Sequence, residues 1–323
     1  MNNRNWNRSL LIASLMAVAI SGISLGVEWN NAQTITLQFS ALALALVLAA
    51  AITSYVLRIL RFHLLLSASG IPVSLRGTAL AQGIGFALSI TPGSIGEVFK
   101  LYLIRQRAGT ALMRAAPALL LDRALEGAGF LVLALVSTAA LPAFHVPLPN
   151  LLPLLAGLSI VLLLGTGLYR SPRLRVMLKG FLARSRLAQR FLPQATATWR
   201  ELRATLTTRR LASGLILTAL ARIADGLVLL FAAQMMGIPL ALPIAIFVIA
   251  ASGLAGGVSL LPGGTGATEA TMAGLLMLVG ASFATALAIA ILARFCTLWL
   301  WVGLGLGEAF TFQLAPVRAG QMP

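Results

Sequence analysis

Long apolar runs dominate the chain, and short polar or Gly-Pro interruptions divide them. The runs cover residues 9–27, 40–68, 77–91, 95–104, 115–141, 151–169, 211–236, 243–261, 268–280 and 283–310. A helix needs about 20 apolar residues to cross the hydrocarbon core of a bilayer. Four of the runs are too short to span comfortably, and they fall in two pairs: 77–91 with 95–104, and 243–261 with 268–280. Each pair meets at a break, S-I-T-P-G-S-I-G-E-V-F-K from Ser89 to Lys100 and S-L-L-P-G-G-T-G-A-T-E-A from Ser259 to Ala270. Two short apolar helices joined by a tight turn read as a re-entrant hairpin. Irregular backbone at membrane depth persists only where protein or a water-filled cavity covers it. The pattern predicts an all-α polytopic membrane protein with six full transmembrane helices and two re-entrant helical hairpins.

The two halves of the chain repeat one another. Gly70-Ile71-Pro72 begins 22 residues before Pro92, and Gly237-Ile238-Pro239 begins 25 before Pro262. L-D-R ends at Arg123, 31 residues after Pro92, and L-A-R ends at Arg294, 32 after Pro262. Basic residues orient the repeats, because cytoplasmic loops collect Lys and Arg. Arg4 and Arg8 place the N-terminus inside, and Arg58, Arg61 and His63 mark the cytoplasmic end of the second span. Arg76 and the group Arg105, Arg107 and Arg114 bracket the first hairpin on that same side. The second hairpin holds no basic residue, which suits an opening to the outside, and Arg318 returns the C-terminus to the cytoplasm. Repeats whose hairpins open to opposite sides are inverted, an arrangement found in alternating-access transporters.

The organisation expected is one membrane domain over 1–323. A first helix and outer loop fill 1–39, repeat 1 fills 40–141 and a connecting helix with a basic cytoplasmic segment fills 142–210. Repeat 2 fills 211–310 and a cytoplasmic tail 311–323. The run from Leu10 to about Val27 competes with a signal peptide. It is long for one, and no A-x-A site follows, so a retained helix is the reading adopted.

Composition supports the membrane assignment: 59% of residues are hydrophobic, 10% are charged, and mean hydropathy is +0.94. Soluble domains carry about a quarter charged residues. The net charge of +16 would suggest nucleic acid in a soluble chain. Here it places basic loops against anionic headgroups, and no nucleic-acid partner is expected. The stretch 170–210 holds eleven basic residues and one acid, with Leu, Phe and Met at helical spacing. It reads as an amphipathic helix on the inner leaflet, or alternatively as a solvated basic loop. Cys296 is the only cysteine, and His63 and His145 stand apart. Neither a disulfide, a metal site nor a cofactor is expected.

Ionisable groups inside spans cost roughly 2.5–3.5 kcal/mol each to insert, which makes them candidate functional residues. They are Glu97, Asp122, Arg123, Glu126, Arg222, Asp225, Glu269, Arg294 and, nearer the end of its span, Glu308. Asp122 and Glu126 share one helical face, and Arg222 and Asp225 can pair within their own helix. Lys100, three residues after Glu97, faces headgroups or snorkels. The turns comprise Pro92, Gly93, Gly96, Pro262, Gly263, Gly264 and Gly266. Their simplest role is to shape the chain, although a Gly-rich turn also presents N–H groups to an anion. The competing reading for each charge is a buried pair that only holds helices in register.

The runs P-G-S-I-G-E-V-F-K-L-Y-L-I-R, L-L-L-D-R-A-L-E, L-P-G-G-T-G-A-T-E-A and L-A-R-F resemble the flippase-like membrane domain of lysylphosphatidylglycerol synthases, over roughly residues 10–310. The resemblance implies movement of a lipid between leaflets of a bacterial inner membrane. This sequence ends at Pro323 with no soluble aminoacyl-transferase domain after it, and Asp122-Arg123 stands where the family reads Glu-Arg. Lysyl transfer is therefore not expected, and a stand-alone member is expected to move an anionic or glycosylated lipid. Arg123 and Arg294 would neutralise a phosphate, with Glu97 and Glu269 pairing with them in the empty site or carrying protons. The expected partners are membrane lipids, a separately encoded lipid-synthesis enzyme and, left open, a second copy of the chain. The alternatives are a non-catalytic scaffold for a lipid or cell-envelope synthesis complex and, third, a membrane-embedded transferase.

Overall fold

A computed structural model describes residues 41–88, 95–108, 115–139, 171, 207–259 and 261–314. The expected helices at 9–27 and 151–169, most of the basic 170–210 segment, the turn residues Pro92 and Gly93 and the tail beyond 314 lie outside the described residues. Among the described residues every regular element is helical. In order these are α1 (Ala41–Ala68), α2 (Leu75–Ala87), α3 (Ile95–Ala108), α4 (Ala116–Thr138), α5 (Thr208–Met235) and α6 (Leu242–Val258). A 3₁₀ turn follows at Pro262–Gly264, then α7 (Ala267–Leu278), α8 (Phe283–Arg294), a π-helical turn (Phe295–Trp299) and α9 (Leu300–Leu314). Three stretches are long and apolar enough to cross a membrane: α1, α5 and the continuous helix Phe283–Glu308.

Local chemistry explains the boundaries. Ser74, Thr207 and Ser282 cap α2, α5 and α8 by accepting from the N–H groups of Gly77, Arg210 and Thr285, which satisfies donors the helix leaves orphaned. The two G-I-P motifs are helix stops. Gly70 and Gly237 adopt φ of 65° and 73°, conformations that favour glycine. The next N–H then closes back on the helix: Ile71 N donates to Leu66 O at 3.1 Å, and Ile238 N to Ala233 O at 3.0 Å. Pro72 and Pro239 prevent continuation.

The helices on either side of the two G-I-P motifs pack in matched pairs. By the G-I-P motifs α1 corresponds to α5 and α2 to α6; α3 corresponds to α7, and α4 to α8 with α9. The short pairs α2/α3 and α6/α7 each pack together. α2 packs on α9 and α6 on α4, so each repeat's first short helix rests on the last helix of the other. Among the described helices the most extensive interface joins α1 to α5. Arg58 meets Asp225, whereas Arg61, further along α1, reaches Thr218, earlier on α5. The two helices therefore run antiparallel.

Lipid is as apolar as Leu, so membrane helices associate through close packing and small residues. Ala50 and Ala51 of α1 and Ala221, Ala224, Ala232 and Ala233 of α5 are buried. Elsewhere a glycine receives a larger partner: Gly129 faces Thr218, Gly226 faces Ile246, and Gly253 faces Phe130.

Candidate functional site

A charge cluster sits where α1, α4 and α5 meet. Arg58 Nη1 donates to Glu126 Oε1 at 3.0 Å and its Nη2 to Asp225 Oδ2 at 2.8 Å. Arg61 Nε donates to Asp122 Oδ1 at 2.7 Å and Nη1 to Thr218 Oγ1 at 3.2 Å. Arg222 pairs with Asp225 at 3.0 Å and with Glu126 at 3.4 Å. Glu126 also meets Arg61 at 3.6 Å and Arg123 at 3.2 Å. Four guanidinium groups thus surround one carboxylate. Rings flank the cluster: the Arg222 guanidinium lies 4.4 Å from the Phe130 centroid and that of Arg58 5.6 Å from Phe86.

Arg58, Arg61, Arg222, Asp122 and Asp225 are buried, and Glu126 nearly so. Three buried arginines balance three carboxylates, an arrangement forced by the cost of an unpaired charge away from water. Arg123 adds a positive charge at the rim, its side chain 42% exposed. Among the described residues, Asp122 Oδ2, Asp225 Oδ1 and Arg222 Nε are buried without a hydrogen-bond partner.

These contacts correct two expectations. Arg58 and Arg61 do not lie at the helix end: α1 runs on to Ala68, and both side chains neutralise carboxylates on neighbouring helices. Lys100 neither snorkels nor faces headgroups; it is 0% exposed. Its stem crosses Gly85 on α2, where the missing side chain leaves room, and its Nζ lies 5.6 Å from the Phe62 centroid. The expected pairing of Arg222 with Asp225 and the shared face of Asp122 and Glu126 are present; both carboxylates face Arg61.

The second break forms a separate cluster. Gly263, Gly264 and Gly266 adopt φ of 62°, 67° and 84°, which brings the chain sharply into α7. Glu269, in the first turn of α7, accepts from Gly266 N–H at 2.7 Å and from Arg294 Nε at 2.7 Å. Arg294 Nη2 donates to Gly263 O at 2.6 Å. A carboxylate therefore occupies the positive end of a helix dipole, held by an arginine from another helix. Arg294 is the last residue of α8, directly before the π-helical turn; such turns recur at functional sites. Of the first break, Glu97 lies in the first turn of α3 and Gly96 is buried. Arg123 pairs with Glu126 within α4, so the two matching arginines have different surroundings.

A third group faces the crossing from α9. Tyr55 stacks on Trp301 with centroids 3.9 Å apart, and Phe86 meets Tyr55 edge-on at 5.9 Å. Gly83 lies beside the Tyr55 hydroxyl and the Glu308 carboxylate.

Sequence reasoning missed Arg58, Arg61, Thr218 and the aromatic group. One signal was present: Arg58 and Asp225 are 167 residues apart, the same interval that separates Gly70 from Gly237.

No curated protein matches the chain. The family model described as the lysylphosphatidylglycerol synthase TM region matches residues 6–305. That range contains both breaks and every charged residue of the two clusters, and the chain belongs to that family of membrane proteins with a lipid-related function.

Proposed function

We propose that the protein is a lipid transporter that moves an anionic or glycosylated lipid between the leaflets of a bacterial inner membrane, with both termini in the cytoplasm. In this reading α2/α3 and α6/α7 are re-entrant hairpins of an inverted repeat. The headgroup passes through a polar cavity between them while the acyl chains stay in the bilayer. The work is binding and release, with no covalent step.

The observation that carries the reading is the Arg294–Glu269 constellation at the second break. Glu269 occupies two donors suited to a phosphate, the Arg294 guanidinium and the Gly266 N–H. Arginine binds phosphate oxygens through a planar fork, and helix N-termini accept anions. A lipid phosphate arriving at α7 would take the place of the carboxylate, and Glu269 would reclaim the donors on release. The charge cluster of α1, α4 and α5 lines the remaining path with Arg123 at its rim.

Purified protein in proteoliposomes with acyl-labelled fluorescent phospholipid tests this. Dithionite quenching reads the labelled lipid in the outer leaflet. Exchange is expected in wild type and lost in Arg294→Ala and Glu269→Gln. Equal exchange in wild type and Arg294→Ala would refute the assignment.

A further inference from the structure

The antiparallel contact between α1 and α5 places one pair of residues at a special point. The interval between the two G-I-P motifs, Gly70 to Gly237, is 167 residues. Arg58 and Asp225 are separated by the same 167 and touch at 2.8 Å. A residue meets its own equivalent only on the axis that relates the two copies, as at a two-fold interface. Other contacts obey the same operation. Tyr55 corresponds to Arg222 by the interval of 167. Trp301 corresponds to Phe130 by the interval of 171 that separates Arg123 from Arg294. Tyr55 stacks on Trp301, and Arg222 lies over Phe130, so the equivalent contact is present on both sides of the axis. Two like charges would repel at a self-contact. The chain instead places Arg in one repeat and Asp in the other, and Arg58 also holds Glu126 of α4.

We propose that Arg58 and Asp225 are the positioning pair on the pseudo-two-fold axis, the fixed pivot about which the two halves rock. The proposal rests on the reading that the repeats exchange places during transport. Such an exchange converts every distance between two residues into the distance between their equivalents. A pair of equivalents maps onto itself, so its distance stays constant. The α7 break lies off the axis, and its distances change.

Spin-label distance measurements on the full chain in proteoliposomes test this, in a Cys296→Ala background. Ser67 and Gln234 are exposed equivalents, each nine residues beyond the pivot. Their distance is expected to shift by less than ~2 Å, the scale of small interface adjustments. Ser67–Met277 and its image Gln234–Arg107, matched by the interval of 170 that separates Gly96 from Gly266, pair each of these positions with an exposed one on a short helix. They are expected to share two distances about 5 Å apart, the scale of a one-turn displacement, with inverse weights. Arg58→Lys keeps the charge but has a single nitrogen for both Glu126 and Asp225, and should broaden the Ser67–Gln234 distribution. A Ser67–Gln234 shift as large as the off-axis shifts would overturn the pivot, as would one invariant distance for each off-axis pair. Lipid exchange separates this from the transport reading: two populations without exchange refute transport and support the pivot, and exchange with a moving Ser67–Gln234 distance does the reverse.

Discussion

Glu126→Gln is the most informative single substitution, because it changes a charge and almost no shape. Glu126 meets Arg58 at 3.0 Å, Arg123 at 3.2 Å, Arg222 at 3.4 Å and Arg61 at 3.6 Å. In the native protein the buried arginines 58, 61 and 222 balance Asp122, Glu126 and Asp225. The substitution leaves three positive charges against two negative ones. Breaking a buried pair by removing one partner costs about 3–5 kcal/mol, since the other charge is stranded. In a domain of about 150–250 residues 1 kcal/mol lowers the unfolding midpoint by roughly 2–4 °C, and in a longer chain by less, so a fall of at most roughly 6–20 °C is expected in detergent. The compensating change is Arg222→Met, which returns the cluster to two against two. The double variant should recover about 1–3 kcal/mol relative to Glu126→Gln, the range of coupling between contacting residues. A midpoint for Glu126→Gln within ~2 °C of wild type, less than 1 kcal/mol on this scale, would refute the account of the cluster. So would a double variant less stable than the single one.

Two further substitutions test the packing. Gly305→Ala places a methyl group against the backbone carbonyl of Gly83, where α9 crosses α2 and no side chain can turn aside; it should cost about 1–3 kcal/mol, read as a lower midpoint. Gly264→Ala adds a side chain at φ 67° beside the Gly256 backbone, with a strain of roughly 1–2 kcal/mol. The midpoint should fall further than for an alanine at Gly257, whose added carbon meets nothing nearby.

The features set by interactions within one or two helical turns were legible in the sequence. The G-I-P stops follow from glycine at positive φ and proline after it. Serine and threonine caps mark the starts of α2, α5 and α8, and Arg222 pairs with Asp225 because residues three apart share a helical face. The breaks at 262–266 follow from glycine and proline in the same way. What lies across a helix interface was decided by the tertiary structure. Arg58 and Arg61 have the same sequence appearance whether they snorkel to headgroups or neutralise buried acids. The choice was made by Asp122 and Glu126 on α4 and Asp225 on α5. Lys100 is buried because a glycine on α2 happens to lie beneath it. The Arg294–Glu269 pair lay halfway between: their matched positions in the repeat suggested it, and the fold of α7 against α8 closed it at 2.7 Å. Sequence specifies local geometry residue by residue, but a charge inside a membrane takes its meaning from its partners, and those are chosen only when the helices pack.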